Sequence, residues 1–324
     1  MKEFYEILRN LPSDYANMAM TVIEGEALGE KLILSRGNLV YESKEGLFSL
    51  REGLKLYSER IQGDKKLVIC GGGHISIPLI TMGKLLGFHV TVIEDRILYA
   101  DNARRAKADR VICDSFQKAL QEIDGDANSY FIIVTRGHRH DQDCLEEIVK
   151  KNNGYIGMIG SKLRVKKVKE ELIARGIPEE DLDKVYSPIG LKIGAETPEE
   201  IAVAIMAEII QVSKSSRETG GYSKELLSSI LEDNGEDKIL ATIIKRKGSA
   251  PRGVGAKMLI FKDGRTLGTI GGGCVEADII TKARYQLLDG DKIPRIYKVD
   301  MTGADAEEEG MVCGGTVDIL LEWV

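Results

Sequence analysis

Lys66-Leu67-Val68-Ile69-Cys70-Gly71-Gly72-Gly73-His74-Ile75-Ser76 runs an apolar strand straight into a glycine turn and a helix start. Outward from it, strand and helix patterns alternate. A helical stretch over 75–86 closes at Gly87, and 88–94, 110–113 and 130–135 read as further strands. Residues 143–151 read as a helix and 154–160 as a fifth strand. Continuous apolar strands alternating with helices predict a parallel sheet covered on both faces.

Within that sheet, Gly71-x-Gly73-x-x-Ser76 departs from the dinucleotide fingerprint G-x-G-x-x-G at its last position, where serine is still small enough for close helix–strand packing. Backbone N–H groups at the helix start, around His74, suit a pyrophosphate. Glu94, 23 residues beyond Gly71, ends the second strand where a ribose-binding acid belongs. Asp95 could share that role, and Arg96 could reach a phosphate or pair with Asp95. The competing reading keeps the turn for packing alone.

Arg136 to Asp143 follow the fourth strand, at the carboxyl edge where such sheets bind ligands. His138 and His140 with Asp141 or Asp143 fit three roles: a mixed nitrogen–oxygen metal site, an acid–base set beside a nucleotide, or a solvated loop in which Asp143 caps the next helix. His89 reads as structural. Ser161, Lys162 and Arg164 form a second strand-end loop suited to an anion, and Lys166, Lys167 and Lys169 read as a solvated helix face. Thr197, Pro198 and Glu200 form a capping box ahead of a helix over 199–212. The Pro188-Ile189-Gly190 stretch before it reads as a ligand-facing loop.

The C-terminal part changes character. After a polar linker over 213–222 and a short helix, 239–244 opens a strand-rich module of α+β pattern. A loop over 248–255, a hairpin over 256–270, a helix over 274–288 and closing strands over 295–300 and 317–323 complete it. Thr269-Ile270-Gly271-Gly272-Gly273-Cys274-Val275-Glu276 repeats the glycine run but follows it with a thiol and a carboxylate. Cys274 at a helix N-terminus would have a lowered pKa. Met311-Val312-Cys313-Gly314-Gly315 sets a second thiol beside an anion-sized turn. Arg252 offers a bidentate clamp for a phosphate or carboxylate. Glu276 could orient a ligand, take a proton or simply favour the helix start. A structural turn with an incidental cysteine is the alternative for either thiol. Near the N-terminus, 29–37 echoes 255–260, and 19–23 echoes 241–244, without the Ser-x-Pro-Arg loop, the triple glycine or the cysteines. This echo reads as a divergent duplicate, the alternative being a chance hairpin.

The 324 residues suffice for two domains with separate cores. With 43% hydrophobic and 30% charged residues the composition is that of a globular protein, and the formal charge of −6 argues against non-specific nucleic-acid binding. No apolar run approaches the ~20 residues of a bilayer span, and Met1-Lys2-Glu3-Phe4 does not open a secretory leader, so the expected location is cytoplasmic. Five cysteines at wide spacings, with no C-x-x-C, indicate neither a zinc knuckle nor a thioredoxin-like site. Cys70 and Cys113 read as buried strand residues and Cys144 as a helix-face residue.

These strings resemble the XdhC/CoxI family, the accessory factors of xanthine dehydrogenase and related molybdenum hydroxylases. The resemblance rests on 248–252, 268–276 and 313–315 for one module, and on 72–74, 155–162 and 188–202 for the other. It implies a Rossmann-like domain over 63–213, a linker and short helix over 214–236, and an α+β XdhC/CoxI-type domain over 237–324, preceded by a degenerate segment over 1–62. The order departs from the family's usual one, in which the glycine/cysteine module comes first. It further implies a chaperone-like factor that binds molybdenum cofactor (molybdopterin), assists its sulfuration and delivers it to an apo-hydroxylase, with a sulfur donor such as a cysteine desulfurase as partner and a homodimer as assembly. Carried over by residue, Cys274 and Cys313 would lie near the cofactor or its sulfur. Arg252, Gly271, Gly272, Gly273 and Gly314 would receive its phosphate and pterin. Gly71, Gly73, His74, Ser76 and Glu94 would hold a nucleotide, NAD(P) or part of a dinucleotide form of the cofactor. Two alternatives stay open: an NAD(P)-dependent oxidoreductase using His138 or His140, and a non-catalytic scaffold for a molybdenum enzyme.

Overall fold

A computed structural model describes residues 2–11, 17–61, 65–136, 138–215, 221–300 and 315–324, without the side chains of His138, Arg139, Ser215 and Cys274. The chain forms two compact units: Gly63–Arg217, and a second built from both chain ends, Met1–Gln62 with Glu218–Val324.

The N-terminal stretch contributes α1 (Lys2–Asn10), β1 (Asn17–Val22), β2 (Lys31–Ser35), β3 (Asn38–Glu42), α2 (Leu47–Leu50) and β4 (Leu56–Arg60). The middle unit then follows as β5 (Lys66–Cys70), α3 (Ser76–Leu85), β6 (His89–Ile93), α4 (Ile97–Arg105), β7 (Arg110–Ile112), α5 (Phe116–Gln121) and β8 (Ser129–Ile133). It continues with α6 (His138–Ile148), β9 (Tyr155–Met158), α7 (Lys162–Ala174), α8 (Glu179–Leu182) and α9 (Pro198–Ser215).

Its five strands are all parallel, in the order β7-β6-β5-β8-β9. This is a Rossmann-like α/β sheet, with the order reversing between β5 and β8. The strand residues divide between two cores as a pleat requires. Val68, Cys70, Phe131 and Ile133 pack with α5–α8, while Leu67, Ile69, Tyr130 and Ile132 pack with α3, α4 and α9. The capping box forms as read: Glu200 N–H donates to Thr197 Oγ1 at 3.3 Å, and Thr197 N–H to Glu200 at 3.1 Å. Cys70 and Cys144 are buried. Cys113, read as a buried strand residue, is exposed. It follows β7, the edge strand, whose end has a neighbour on one side only.

The chain then returns to the first unit with α10 (Lys224–Leu231), β10 (Lys238–Lys247), β11 (Lys257–Phe261), β12 (Thr266–Gly268), α11 (Gly273–Asp289), β13 (Arg295–Asp300) and β14 (Thr316–Trp323). Five of these strands form an antiparallel sheet, β12-β11-β10-β14-β13, and the N-terminal strands form a second, β3-β2-β1-β4. The two orders correspond strand for strand except that β13 has no counterpart, so the N-terminal segment repeats part of the C-terminal module. Alternate residues of β10 face different layers. Ile239, Ala241 and Ile243 pack with α11, whereas Leu240 packs with α1, α10 and Ala19 and Ile33 of the N-terminal sheet. On its far side that sheet packs Val22 and Leu32 against Leu47 of α2.

Candidate functional site

The two glycine turns are each closed by a carboxylate. In the Rossmann-like unit, Glu94 is buried, with one oxygen accepting Gly72 N–H at 2.7 Å and the other accepting Arg96 Nε–H at 3.0 Å. The acid read as ribose-binding is thus engaged with the turn itself. Asp95 beside it is partly exposed, 3.4 Å from Arg96 Nε and 3.7 Å from His140 Nε2. Gly71 and Gly72 are needed for fit. A Cβ on Gly71, whose φ is +115°, would lie 2.6 Å from the Val134 carbonyl oxygen, and one on Gly72 would lie 2.7 Å from that of Tyr99. These contacts seat the β5 turn against the end of β8 and the first turn of α4. Gly73 differs: the nearest atom to a Cβ there is Arg136 Nε at 3.8 Å. Ser76 is buried and its hydroxyl donates to the Gly71 carbonyl at 2.6 Å. His74 is exposed.

Helix α6 begins at His138, five residues earlier than the sequence pattern predicts. The stretch read as a solvated loop, with Asp143 capping the helix after it, is therefore the first turn of the helix itself. Asp141 is fully buried and accepts from Thr135 Oγ1 on one oxygen and from the Arg164 guanidinium on the other. With both oxygens taken, it is a tie between the end of β8 and the first turn of α7, not an open metal ligand. Among the described residues, no group of three or more His, Cys, Asp or Glu could hold a metal ion. His140 is half-exposed and lies against the Phe116 ring, at 5.3 Å between centroids.

The sequence pattern does not single out Tyr99 and Arg136. The guanidinium carbons of Arg96 and Arg136 lie 4.3 and 3.8 Å from the Tyr99 ring centre, and Arg136 also donates to the Tyr99 hydroxyl. Arg136 directly after an apolar strand was the available signal; Tyr99 gave none. The Pro188–Gly190 stretch, read as facing a ligand, is fastened to the sheet and α9: Ile189 N–H donates to Met158 at 3.1 Å and Gly190 N–H to Glu208 at 3.0 Å.

In the other unit, Glu276 on the first turn of α11 accepts from Thr269 Oγ1 at 2.5 Å, Ile270 N–H at 3.0 Å and Gly271 N–H at 3.2 Å. Burial alone would raise its pKa. The hydrogen bonds from Thr269 and from the backbone of Gly272, Ile270 and Gly271 outweigh that and hold it below the ordinary glutamate value. Glu276 is a carboxylate clamp on the turn, poorly suited to taking a proton. Gly272 and Gly273 adopt φ of +74° and +66°, and no atom of the described residues comes within 4 Å of a Cβ there, which leaves their backbone accessible on that side. A Cβ on Gly271 would crowd Pro251 at 3.1 Å, and one on Gly315 would collide with the Ser249 carbonyl. The loop over 248–252, the glycine turn and the start of β14 are therefore brought together as the motifs suggested. Arg252 is exposed on that loop. Cys313 and Gly314 lie outside the described residues. Of Cys274 only the backbone is described, as the second residue of α11.

A Rossmann-like unit joined to an antiparallel module with a clamped glycine turn at a helix start defines the class of molecule. A model of the XdhC Rossmann domain matches residues 67–209, and one of the XdhC and CoxI family matches 231–297. The chain belongs to the XdhC/CoxI family. It is similar to a probable xanthine dehydrogenase subunit from Bacillus subtilis strain 168, at 35% identity over 159 residues, or 49% of this chain and 46% of that one. It is also similar to the molybdenum cofactor insertion chaperone PaoD of Escherichia coli K12, at 43% identity over 57 residues, 18% of each chain. The chain spans less than half the length of these curated relatives. A solved structure described as a xanthine dehydrogenase from Bacillus halodurans shares the fold, with a TM-score of 0.53 at 23% identity over 63% of this chain and 64% of that one. Among the described residues, no helix is long and apolar enough to cross a membrane.

Proposed function

We propose that this protein is an accessory factor that binds molybdenum cofactor and assists its sulfuration and its insertion into a xanthine dehydrogenase-type hydroxylase. The observation that carries the reading is the glycine turn fastened by Glu276, with space beside the Gly272 and Gly273 backbone among the described residues, and packed at Gly271 against Pro251 of the loop that carries the exposed Arg252. A cradle of this kind would take an anionic, phosphate-bearing group on the first-turn N–H groups of α11 and the Arg252 guanidinium, since both favour negative charge, while the N–H groups of Ile270, Gly271 and Gly272 go to Glu276. Cys274 follows the turn directly in the sequence, and the family resemblance implies a thiol near the cofactor. Similarity to a chaperone of molybdenum cofactor insertion supports the same direction. When bound, the cofactor would supply the metal centre and its labile sulfur ligand; the chain's own residues would hold the phosphate, exclude water and present the thiols of Cys274 and Cys313. The Rossmann-like turn would take a nucleotide or the nucleotide part of the cofactor at Gly73, where the backbone is open. A homodimer, a client hydroxylase and a sulfur donor belong to this proposal.

A second reading, an NAD(P)-dependent oxidoreductase, draws on the His140–Asp95 approach of 3.7 Å at the sheet edge. Anaerobic purification followed by absorbance and mass spectrometry separates the two. The expected result is a co-purifying pterin and molybdenum, reduced about tenfold or more by Arg252→Ala and in sulfur content by Cys313→Ser. A nicotinamide nucleotide without pterin would support the oxidoreductase instead, and neither ligand would leave the scaffold.

A further inference from the structure

The N-terminal segment repeats the C-terminal module in detail beyond strand order. In each copy a helix ends seven positions before its first strand, Asn10 to Asn17 and Leu231 to Lys238. Each helix buries the same spacing of residues, Phe4, Tyr5 and Leu8 in one and Leu226, Leu227 and Ile230 in the other. The registers agree as well. Thr21 stands opposite Lys31 across β1 and β2, and Thr242 opposite Lys257 across β10 and β11. Two residues before each threonine, on the same sheet face, Ala19 stands opposite Glu59 and Leu240 opposite Glu322. Each copy therefore presents one lysine and one glutamate at equivalent places on the face that meets the other.

The charges pair between copies. Lys31 reaches Glu322 at 2.7 Å, and Lys257 reaches Glu59 at 2.6 Å, all four side chains being at least 95% buried. The lysine of each copy thus meets the glutamate of the other, a reciprocal exchange that defines an isologous, two-fold interface. The helices share this relation, since α1 packs on α10 in a common core. What the N-terminal copy lacks lies outside the interface: where the C-terminal copy has the glycine turn and the seventeen-residue α11, it has the four-residue α2, and β13 has no counterpart.

We infer that residues 1–62 stand in, within one chain, for a second copy of the C-terminal module. The Lys257–Glu322 face of that module is self-complementary, and this protein fills it in cis with a copy that has kept the interface and not the glycine site. The consequence is one glycine site for each interface of this kind, and a face closed to other chains. The inference goes beyond the cofactor reading and stands without it.

Assembly in the full chain tests it. Lys31→Glu with Glu59→Lys sets like charges against Glu322 and Lys257 and leaves the C-terminal face intact, so that Lys257 of one chain can meet Glu322 of another. The expected result is a doubling of the mass measured by light scattering relative to the parent chain. Adding Lys257→Glu and Glu322→Lys should return it to the parental value, because the pairs within the chain are then restored with reversed sign. The milder pair Lys31→Gln with Glu59→Gln is read the same way should the first variant fail to fold. A folded variant of parental mass overturns the inference. So does loss of folding, or aggregation without a defined dimer, in both designs, since a self-complementary face deprived of its stand-in should recruit another copy.

Discussion

Two acids, Glu94 and Glu276, each turn a carboxylate inward to fasten a glycine loop by its backbone N–H groups. For Glu276 the physical signature is a depressed pKa, and linkage gives the sign of its effect. Stabilisation from the clamp is fully present above the ordinary glutamate value of 4.5 and is lost as pH falls through the lower folded value. Thermal unfolding followed from pH 7 to pH 3 should therefore show a Glu276-dependent decline confined to the acidic end. Glu276→Ala should lower stability by about 1–3 kcal/mol at neutral pH and remove that component. The glycines of the other turn divide by space. Gly72→Ala forces a Cβ onto the Tyr99 carbonyl and should cost about 1–3 kcal/mol. Gly73→Ala has room and should change stability by less than about 0.5 kcal/mol. If Gly73 cradles a nucleotide phosphate, calorimetric titration with nucleotides should show the Gly73 variant binding about tenfold or more weakly, in a protein that melts like the parent.

At the scale of elements, the carboxyl edge of the parallel sheet is organised by one buried carboxylate. Asp141 ties the end of β8 to α6 and to the start of α7 through Thr135 and Arg164. A buried charge pair contributes little against an apolar replacement, but removing one partner strands the other. Asp141→Leu should therefore destabilise by about 3–5 kcal/mol, visible as a lower denaturant midpoint, and Arg164→Leu in the same chain should recover part of the loss. Asp141 lies in the first turn of α6, within the histidine segment, and faces inward to reach both partners.

For the whole molecule, the unit built from both chain ends has two sheets face to face, with an α-helix on each outer side and four buried charges between them. Apolar pairs of similar volume would often be as stable at such a place. The reciprocal charges set the register and partner of one copy against the other. On the inference drawn above, the proposed homodimer would have to use another surface, because the face carrying Lys257 and Glu322 is covered within the chain.

The sequence by itself determined the alternating strand–helix order of the middle unit, the capping box of α9 and the strand–turn–helix placement of both glycine runs. Each of these is a local periodicity or a local cap, expressed within a few residues. Only tertiary structure decided that Glu94 and Glu276 turn back onto their own loops, that Asp141 is buried, that Cys113 is exposed, and that Lys31 meets Glu322. The two faces of a strand look alike in sequence when both are apolar. A lysine or glutamate within a strand likewise carries no mark of the partner, hundreds of residues away, that makes its burial tolerable.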